Sequence, residues 1–148
     1  MKILIVHGPN LNLLGKRNKE IYGEKTLDEI SSMLQSHAAE LGIQVGFLQS
    51  NSEGELVDFV QKESPNAEGI IINPGALTHY GLSLRDALFD SNLPIIEVHL
   101  SNIYAREEFR HTSVIAPIAR AQISGLGWRG YIAALRAMVA ELRGTVWQ

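Results

Sequence analysis

The sequence predicts a doubly wound α/β protein with one parallel sheet. Two observations support this fold class. Short apolar, β-branched runs alternate with amphipathic stretches at helical spacing, and those runs are continuous enough to be strands buried on both faces. Right-handed crossovers then favour the strand order 2-1-3-4-5, with helices on both faces in three layers. A length of 148 residues is typical of one domain, so we expect a single domain over residues 1–148.

Five strands are expected from the apolar runs. They are Lys2–Val6, Ile43–Gln49, Glu68–Asn73, Pro94–His99 and a weaker run at Ala121–Ser124. Each of the first four is followed by a helical stretch or a long connection, and the fifth is followed by the last helix. Five βα alternations indicate a parallel sheet, and the predicted order makes the topology flavodoxin-like.

Four helices are expected around this sheet. The first begins at Thr26-Leu-Asp-Glu29, a capping box in which the two end side chains bond to backbone N–H groups, and it ends at Gly42. A second capping box, Ser52-Glu-Gly-Glu55, begins the next helix. The other two helices are predicted at Ser83–Asp90 and at about Tyr131–Leu142.

The composition excludes several classes of partner and site. A net charge of −3 favours neither nucleic acid nor an anionic membrane as a partner. The chain has no cysteine, so it has no thiolate nucleophile and no disulfide. The first apolar run, Ile3–Val6, is too short for a signal-peptide core, and no stretch reaches the roughly 18 apolar residues of a membrane helix. We therefore expect a soluble cytoplasmic protein.

Unusual polar residues follow three of the predicted strands. The segments are His7–Asn10, Asn73–His79 and Glu97–Asn102. Ligands of open α/β sheets bind outside the carboxyl ends of the strands, so these segments predict a small-molecule active site. The side chains delivered to it are Asn10, Asn73, His79, His99 and Ser101. His7 is better interpreted as the end of a strand.

Two connecting segments are long enough to be lids or binding loops. Gly8–Lys25 follows the first strand, and its polar centre carries Arg17 and, a little further on, Tyr22, as expected of a mobile lid. Ser101–Arg120 follows the fourth strand and carries a run of charged residues. Such a run is by itself typical of a solvated helix face. Its place beside the predicted site also suits an anionic substrate, which would want arginine there.

Two other kinds of site are less favoured by the pattern. Gly125–Gly130 matches the dinucleotide fingerprint by letter, but it lies on the last βα unit, and no later strand offers an acidic residue for a ribose. Glycines that bring the last helix close to the sheet explain it better. His79, His99 and Glu97 could bind a metal, but they lack the tight spacing of metal ligands, and an acid–base role is favoured.

Three blocks of this sequence resemble the type II 3-dehydroquinate dehydratases of the shikimate pathway. The blocks are Gly8–Arg17 with Tyr22-Gly23, Asn73–His79, and Glu97–Asn102 with Ala105–Arg110. The resemblance spans almost the whole chain and extends to Gln49–Glu53, Leu84–Ala87 and Ile123–Gly127. One position departs from it: the family's lid arginine is commonly followed by glutamate, whereas Asn18 follows Arg17 here.

The resemblance implies a hydro-lyase that removes water reversibly from 3-dehydroquinate to give 3-dehydroshikimate. The family's reaction is an anti elimination through an enolate, without a metal or another cofactor. In this sequence Tyr22 corresponds to the family's base and His99 to its general acid. Asn10 would position a water on the enolate oxygen, and Arg17 would stabilise the developing charge.

The resemblance also implies the substrate contacts and the assembly. The contacts correspond to Asn73, His79, Leu100, Ser101 and Arg110. Asp86 corresponds to a residue that reaches the site of a neighbouring subunit, in a homododecamer of four trimers. Neither nucleic acid nor a membrane is an expected partner.

Elementary chemistry fits this set of residues. Removing a proton next to a ketone needs a base and a donor for the enolate oxygen. A free tyrosine is protonated at neutral pH, so cations must stabilise its phenolate, and Arg17 and Arg106 are the candidates. Hydroxide must be protonated as it leaves, and His99, oriented by a carboxylate such as Glu97, suits that step.

A flavin or nucleotide carrier is the main non-enzymatic alternative, because the flavodoxin-like class includes flavodoxins. Such a carrier would need a hydroxyl-rich phosphate loop after the first strand, and Gly8–Leu14 supplies few hydroxyls. A response-regulator-like signalling module would need an acidic cluster at the strand ends, and these ends carry Asn and His instead.

Overall fold

The computed structural model describes residues 1–145, and its strands form one five-stranded parallel sheet. The strands are β1 (Lys2–His7), β2 (Gln44–Gln49), β3 (Gly69–Asn73), β4 (Ile95–His99) and β5 (Ala121–Ser124). Their order is β2-β1-β3-β4-β5, which confirms the predicted flavodoxin-like topology. The predicted strand bounds are also confirmed to within one residue at each end.

Five α-helices accompany this sheet within residues 1–145. They are α1 (Lys19–Tyr22), α2 (Leu27–Leu41), α3 (Glu53–Glu63), α4 (Leu82–Asp90) and α5 (Arg129–Arg143). All but α1 match predicted helices. The expectation that Tyr22 lies on a loop was wrong, because it ends the one-turn helix α1. A single turn is too short to show the apolar periodicity by which a helix is recognised in a sequence.

Helix α2 begins and ends as its sequence predicts. The Thr26 hydroxyl accepts from the Glu29 N–H at 3.2 Å, and the Glu29 carboxylate accepts from the Thr26 N–H at 3.4 Å, which completes the capping box. Gly42 follows the helix with φ 70°, a left-handed conformation that strains other residues.

Helix α3 forms only half of its predicted capping box. The Ser52 hydroxyl accepts from the Glu55 N–H at 3.4 Å. The Glu55 carboxylate does not return this bond, because it accepts from the hydroxyl of Ser50 instead. The start of the helix was therefore predicted correctly, but the prediction that Glu55 bonds back to the Ser52 N–H was wrong.

The sheet separates two apolar cores, as expected when both faces are covered. Successive side chains of a strand point to opposite faces, so Ile3 and Ile5 pack in the core with α2 and α5, whereas Leu4 and Val6 pack in the core with α3 and α4. Burying each side chain of this size contributes about 1.5–3 kcal/mol. The helices thus hold the strands rigidly from both sides.

The parallel register brings the carboxyl ends of the strands together. His7 at the end of β1 pairs with Asn73 at the end of β3, and His99 at the end of β4 pairs with Ser124 of β5. The segments that follow these strands therefore start at one edge of the sheet. No helix within residues 1–145 is long and apolar enough to cross a membrane.

Candidate active site

A cavity of about 150 Å³ lies at this edge of the sheet. The predicted site residues that line it are Asn10, Arg17, Tyr22, Asn73, His99, Leu100, Ser101, Arg106 and Arg110. They come from the segments after β1, β3 and β4, so the two long connections and the strand ends meet in one place. Three further residues of the predicted set lie outside the lining.

These three residues are Glu97, His79 and Asp86. Glu97 lies behind His99 in β4 and has no exposed surface. The Nδ1 of His79 donates to the carbonyl of Thr112 at 2.8 Å. Asp86 is exposed on α4 and pairs with Arg85 at 2.8 Å. A single chain therefore does not bring Asp86 to its own cavity.

The Tyr22 hydroxyl lies between two guanidinium groups. It accepts from Nη2 of Arg17 at 3.3 Å and from Nη2 of Arg106 at 3.0 Å. The same two guanidinium groups approach the face of the Tyr22 ring, with Cζ 4.4 Å and 5.2 Å from its centroid. Two cationic donors therefore converge on the Tyr22 oxygen, where they can stabilise negative charge that develops during a proton transfer.

Arg106 is itself fixed by the segment that follows β4. Its Nη1 donates to the hydroxyl of Ser101 at 3.1 Å, while Nη2 binds Tyr22. Its buried Nε has no hydrogen-bond partner among the described residues.

His99 is oriented by a buried carboxylate. Its Nε2 bonds to Glu97, which also accepts from Thr78 at 3.0 Å, Ser113 at 2.7 Å and Gln122 at 2.7 Å. Burial acts to raise the pKa of Glu97, but the bonds from His99, Ser113 and Gln122 outweigh it and hold the pKa below its usual range. Ionised Glu97 keeps a proton on Nε2, so Nδ1 of His99 is the nitrogen that can exchange a proton with a ligand.

Asn10 is held in an unusual backbone conformation by two residues of the Gln49–Glu53 segment, which the sequence analysis included in the family resemblance but not among the site residues. Its φ is 70°, which asparagine tolerates better than most residues. The side chain of Asn51 accepts from the Asn10 N–H at 2.9 Å, and Gln49 donates to Asn51 at 3.2 Å. Both supporting residues belong to a polar segment that starts where β2 ends, the same signal that identified the other site segments.

Two glycines let the segments after β1 and β3 approach each other. A Cβ on Gly8 would lie 2.3 Å from the carbonyl oxygen of Pro74. Gly75 has φ 60°, and a Cβ there would lie 3.0 Å from the carbonyl oxygen of Pro9. Glycine at both positions therefore sets how closely the Asn10 and Asn73 sides of the cavity can come together.

The alternatives that the sequence analysis set aside gain no support from the geometry. A Cβ on Gly130 would lie 3.4 Å from Val98 and 3.5 Å from Ile123, so this glycine does bring α5 close to the sheet. Within residues 1–145, no group of three or more histidine or carboxylate side chains is arranged to hold a metal ion.

A tyrosine held between cations and a histidine oriented by a carboxylate, at the open edge of a flavodoxin-like sheet, define an acid–base enzyme site. The sequence model of the family described as dehydroquinase class II matches residues 1–139. The chain therefore belongs to the class II dehydroquinase family, which confirms the resemblance seen in the sequence. A flavin or nucleotide carrier is not favoured.

Individual relatives agree with this membership. The 3-dehydroquinate dehydratase of Roseiflexus castenholzii is 65% identical over 135 residues, which cover 91% of this chain and 86% of the relative. That of Pelotomaculum thermopropionicum is 55% identical over 145 residues, covering 98% and 100%. The crystal structure of a type II dehydroquinase from Butyrivibrio crossotus superimposes with a TM-score of 0.91 at 46% identity, covering 93% of this chain and 97% of that one.

Proposed function

We propose that this protein is a 3-dehydroquinate dehydratase, a hydro-lyase that converts 3-dehydroquinate to 3-dehydroshikimate. The observation that carries the proposal is the Tyr22 hydroxyl between Arg17 and Arg106, in the same cavity as His99. The choice of substrate is supported by the family and by the names of the relatives. The three arginines that line the cavity suit a small carboxylic acid.

The first chemical step is removal of a proton next to the ketone of the substrate. Tyr22 acts as the base and takes the proton. The electron pair of the broken C–H bond forms a C=C bond in the substrate, and the ketone oxygen takes up the negative charge, which gives the enolate. Arg17 and Arg106 stabilise the negative charge on the phenolate before the transfer, and Arg17 stabilises the charge that develops as the enolate forms. Asn10 holds a water that donates to the enolate oxygen.

The second step is loss of the hydroxyl group as water. The enolate electrons form the new double bond as the C–O bond breaks, and His99 delivers a proton to the departing oxygen. Because Nε2 of His99 is engaged with Glu97, this proton comes from Nδ1. The Glu97 carboxylate stabilises the imidazolium that must be present before the transfer. Proton exchange with solvent then restores Tyr22 and His99 to their starting states.

The rest of the cavity binds the carboxylate and hydroxyl groups of the substrate. We assign these contacts to the backbone of Leu100 and Ser101, to the side chains of Asn73 and Arg110, and to His79, which lies outside the lining of the cavity. The His79 ring has its Nδ1 tied to a backbone carbonyl, so its Nε2 is the nitrogen available to a substrate hydroxyl.

The active protein is proposed to be a homododecamer of four trimers. Asp86 is exposed on α4, and large apolar side chains near it are exposed as well: Tyr80 at 65%, Leu82 at 60% and Phe89 at 59%. Apolar surface of this kind is favourable to cover with another copy, which would let Asp86 complete a neighbouring cavity. We also propose a cytoplasmic location, as expected from the composition.

An absorbance assay tests the proposed reaction directly, because the product is a conjugated enone and the substrate is not. We expect the purified protein to produce this absorbance, and to do so after treatment with borohydride in the presence of substrate. No lysine of the described residues lines the cavity, so no Schiff base is expected. Absence of product would contradict the proposed function, and inactivation by borohydride only in the presence of substrate would contradict the mechanism.

A further inference from the structure

A series of hydrogen bonds links the proposed general acid to the surface of the protein. The amide nitrogen of Gln122 donates to Oε2 of Glu97 at 2.7 Å, and the Tyr104 hydroxyl donates to the amide oxygen of Gln122, also at 2.7 Å. Oε2 of Glu97 is the oxygen that Nε2 of His99 contacts. Neither Tyr104 nor Gln122 lines the cavity, and Tyr104 has no part in the chemistry described above.

The fold places these residues on elements that meet beside Glu97. Gln122 lies in the edge strand β5 and is the register neighbour of Glu97 in β4, so both side chains point to the same face of the sheet. Tyr104 lies in the connection that follows β4, where its N–H donates to the side chain of Asn102 at 3.1 Å. It reaches Gln122 from the solvent side, since 51% of its surface is exposed.

The orientation of the Gln122 amide follows from its two neighbours. Because Glu97 is ionised, it can only accept hydrogen bonds, so the amide must turn its NH2 group towards the carboxylate. The amide oxygen then lies on the other side, where the Tyr104 hydroxyl donates to it. Tyr104 therefore holds the outer atom of the amide and keeps the NH2 group from swinging away from Glu97.

Gln122 completes a group of donors around the oxygen that orients His99. Oε2 of Glu97 accepts from Gln122, from His99 and from the Thr78 hydroxyl at 3.0 Å. Thr78 belongs to the segment after β3, whereas Gln122 belongs to β5, so the two donors fix this oxygen from different sides. Without Gln122 the oxygen is held on one side only, and the bond that aligns the His99 ring is less well defined.

We propose that Tyr104 and Gln122 are positioning residues, which hold Oε2 of Glu97 and through it keep the His99 ring aligned with the departing hydroxyl group. They act on the second chemical step, because that is the step in which His99 delivers its proton. The proposal rests on the proposed function, since it takes His99 to be the general acid.

Removing the Tyr104 hydroxyl is the first test. Tyr104→Phe keeps the ring, whose centroid lies 6.0 Å from that of His111, and removes only the donor to Gln122. We expect kcat to fall by about three- to tenfold while KM stays within about twofold, because the side chain does not line the cavity. A wild-type kcat in this variant, or a rise in KM alone, would overturn the proposal.

Removing the amide itself should have at least as large an effect on kcat. Gln122→Met keeps the length of the side chain but cannot donate to Glu97. Gln44→Met is the matched control, since Gln44 lies in β2, the strand at the opposite edge of the sheet, and kcat should be unchanged there. An equal loss of kcat in the two methionine variants would overturn the proposal.

Deuterium exchange locates the effect in the second step. In D₂O, Tyr104→Phe and Gln122→Met should each incorporate more deuterium next to the ketone, per molecule of product formed, than the wild type does. The reason is that the enolate waits longer for its acid while the base is unchanged. A fall in exchange and in dehydration by the same factor would show a general disturbance of the cavity, and would overturn the proposal.

A double-mutant cycle shows whether Tyr104 acts through Gln122. In a Gln122→Met background, Tyr104→Phe should lower kcat no further, because the amide that the hydroxyl holds is gone. The same further fall as in the wild-type background would mean that Tyr104 acts by another route, which would contradict the proposal.

Urea denaturation of the same four proteins gives a readout that needs no activity. The losses of stability in the two single variants should not add in the double variant, because both remove the same hydrogen bond. Additive losses would overturn the inference. If the wild type forms no 3-dehydroshikimate, the proposed function fails, while this cycle still decides whether Tyr104 holds Gln122 in place.

Discussion

The side of the cavity that carries His99 is built from the core, whereas the side that carries Tyr22 is built on a connecting segment. Glu97 and His99 lie in a central strand with 0% and 5% of their surface exposed. Tyr22 and Arg17 are half-buried on a segment whose neighbouring residues are exposed. The proposed general acid, His99, is therefore held by the same packing that holds the fold, whereas the proposed base, Tyr22, depends on local contacts with two arginines.

This difference separates activity from stability. A change on the Tyr22 side should remove activity without affecting the free energy of unfolding. A change on the Glu97 side should affect both, since it alters a buried hydrogen-bond network.

The largest effect is expected from Tyr22→Phe. Loss of the base should reduce kcat by about 10³-fold or more, whereas the free energy of unfolding should change by less than about 0.5 kcal/mol. Steady-state kinetics and urea denaturation measure the two quantities. Activity within tenfold of the wild type would rule out Tyr22 as the base.

The next largest effect on kcat is expected from the arginines beside Tyr22. Arg17→Ala should reduce kcat by about 10²-fold, because it removes a cation that stabilises the phenolate and the developing charge. Arg120→Ala, on a surface arginine paired with Glu141 at 2.6 Å, is the control and should leave kcat unchanged. A comparable loss in both variants would mean that overall charge, and not the contact with Tyr22, is responsible.

Glu97→Gln should affect both activity and stability. Ser113 donates to one oxygen of the Glu97 carboxylate, and Thr78 and Gln122 donate to the other. The amide replaces one of these oxygens by an NH2 donor, which faces a donor there, so unfolding should become easier by about 1–3 kcal/mol. The pH dependence of kcat should also change, because His99 loses its counter-charge. Glu63→Gln, outside the cavity, is the control for loss of one carboxylate. A Glu97→Gln protein as stable as the wild type would contradict the claim that the residues holding His99 also stabilise the fold.

The last prediction concerns acid stability, where no effect on kcat is expected, and it involves no group that is proposed to touch the substrate. His7 has its pKa lowered to about 3 by burial, whereas an unfolded histidine titrates near 6.5. The unfolded state therefore binds an extra proton below pH 6.5, and stability should fall as pH decreases, by about 2–3 kcal/mol between pH 7 and 4.5. Glu97 acts in the same direction, but only below about pH 4.5, where an unfolded glutamate takes up its proton.

Denaturation of wild type and His7→Leu across this range isolates the histidine contribution. The variant should lose less stability than the wild type between pH 6.5 and 4.5, because it has no side chain to protonate there. Parallel curves would show that His7 is not kept neutral by the fold.

The sequence was sufficient for the sheet and for most of the cavity lining. β-branched runs such as Ile70–Ile72 marked strands that are buried on both faces, and polar residues such as Asn73 marked where those strands end. Both signals are local in sequence. They therefore predicted which segments lie at the same edge before any packing was known.

The residues that support the site side chains from behind could not be predicted from the sequence, because their contacts form only when the chain folds. Ser113 and Gln122 bind Glu97 only because the topology places β5 and the preceding connection beside β4. Tyr104 meets Gln122 across 18 positions of sequence. Such contacts depend on tertiary packing, which no local pattern of residue types encodes. Helix α1 was missed because one turn has no periodicity to detect.

Deuterium exchange into the substrate tests the central claim, that Tyr22 removes the proton and His99 separately delivers one to the leaving hydroxyl. In D₂O, His99→Asn should incorporate deuterium next to the ketone of 3-dehydroquinate faster than it forms 3-dehydroshikimate, because the base still works while the acid is missing. Tyr22→Phe should show neither exchange nor dehydration. Exchange by Tyr22→Phe at the wild-type rate would contradict the account.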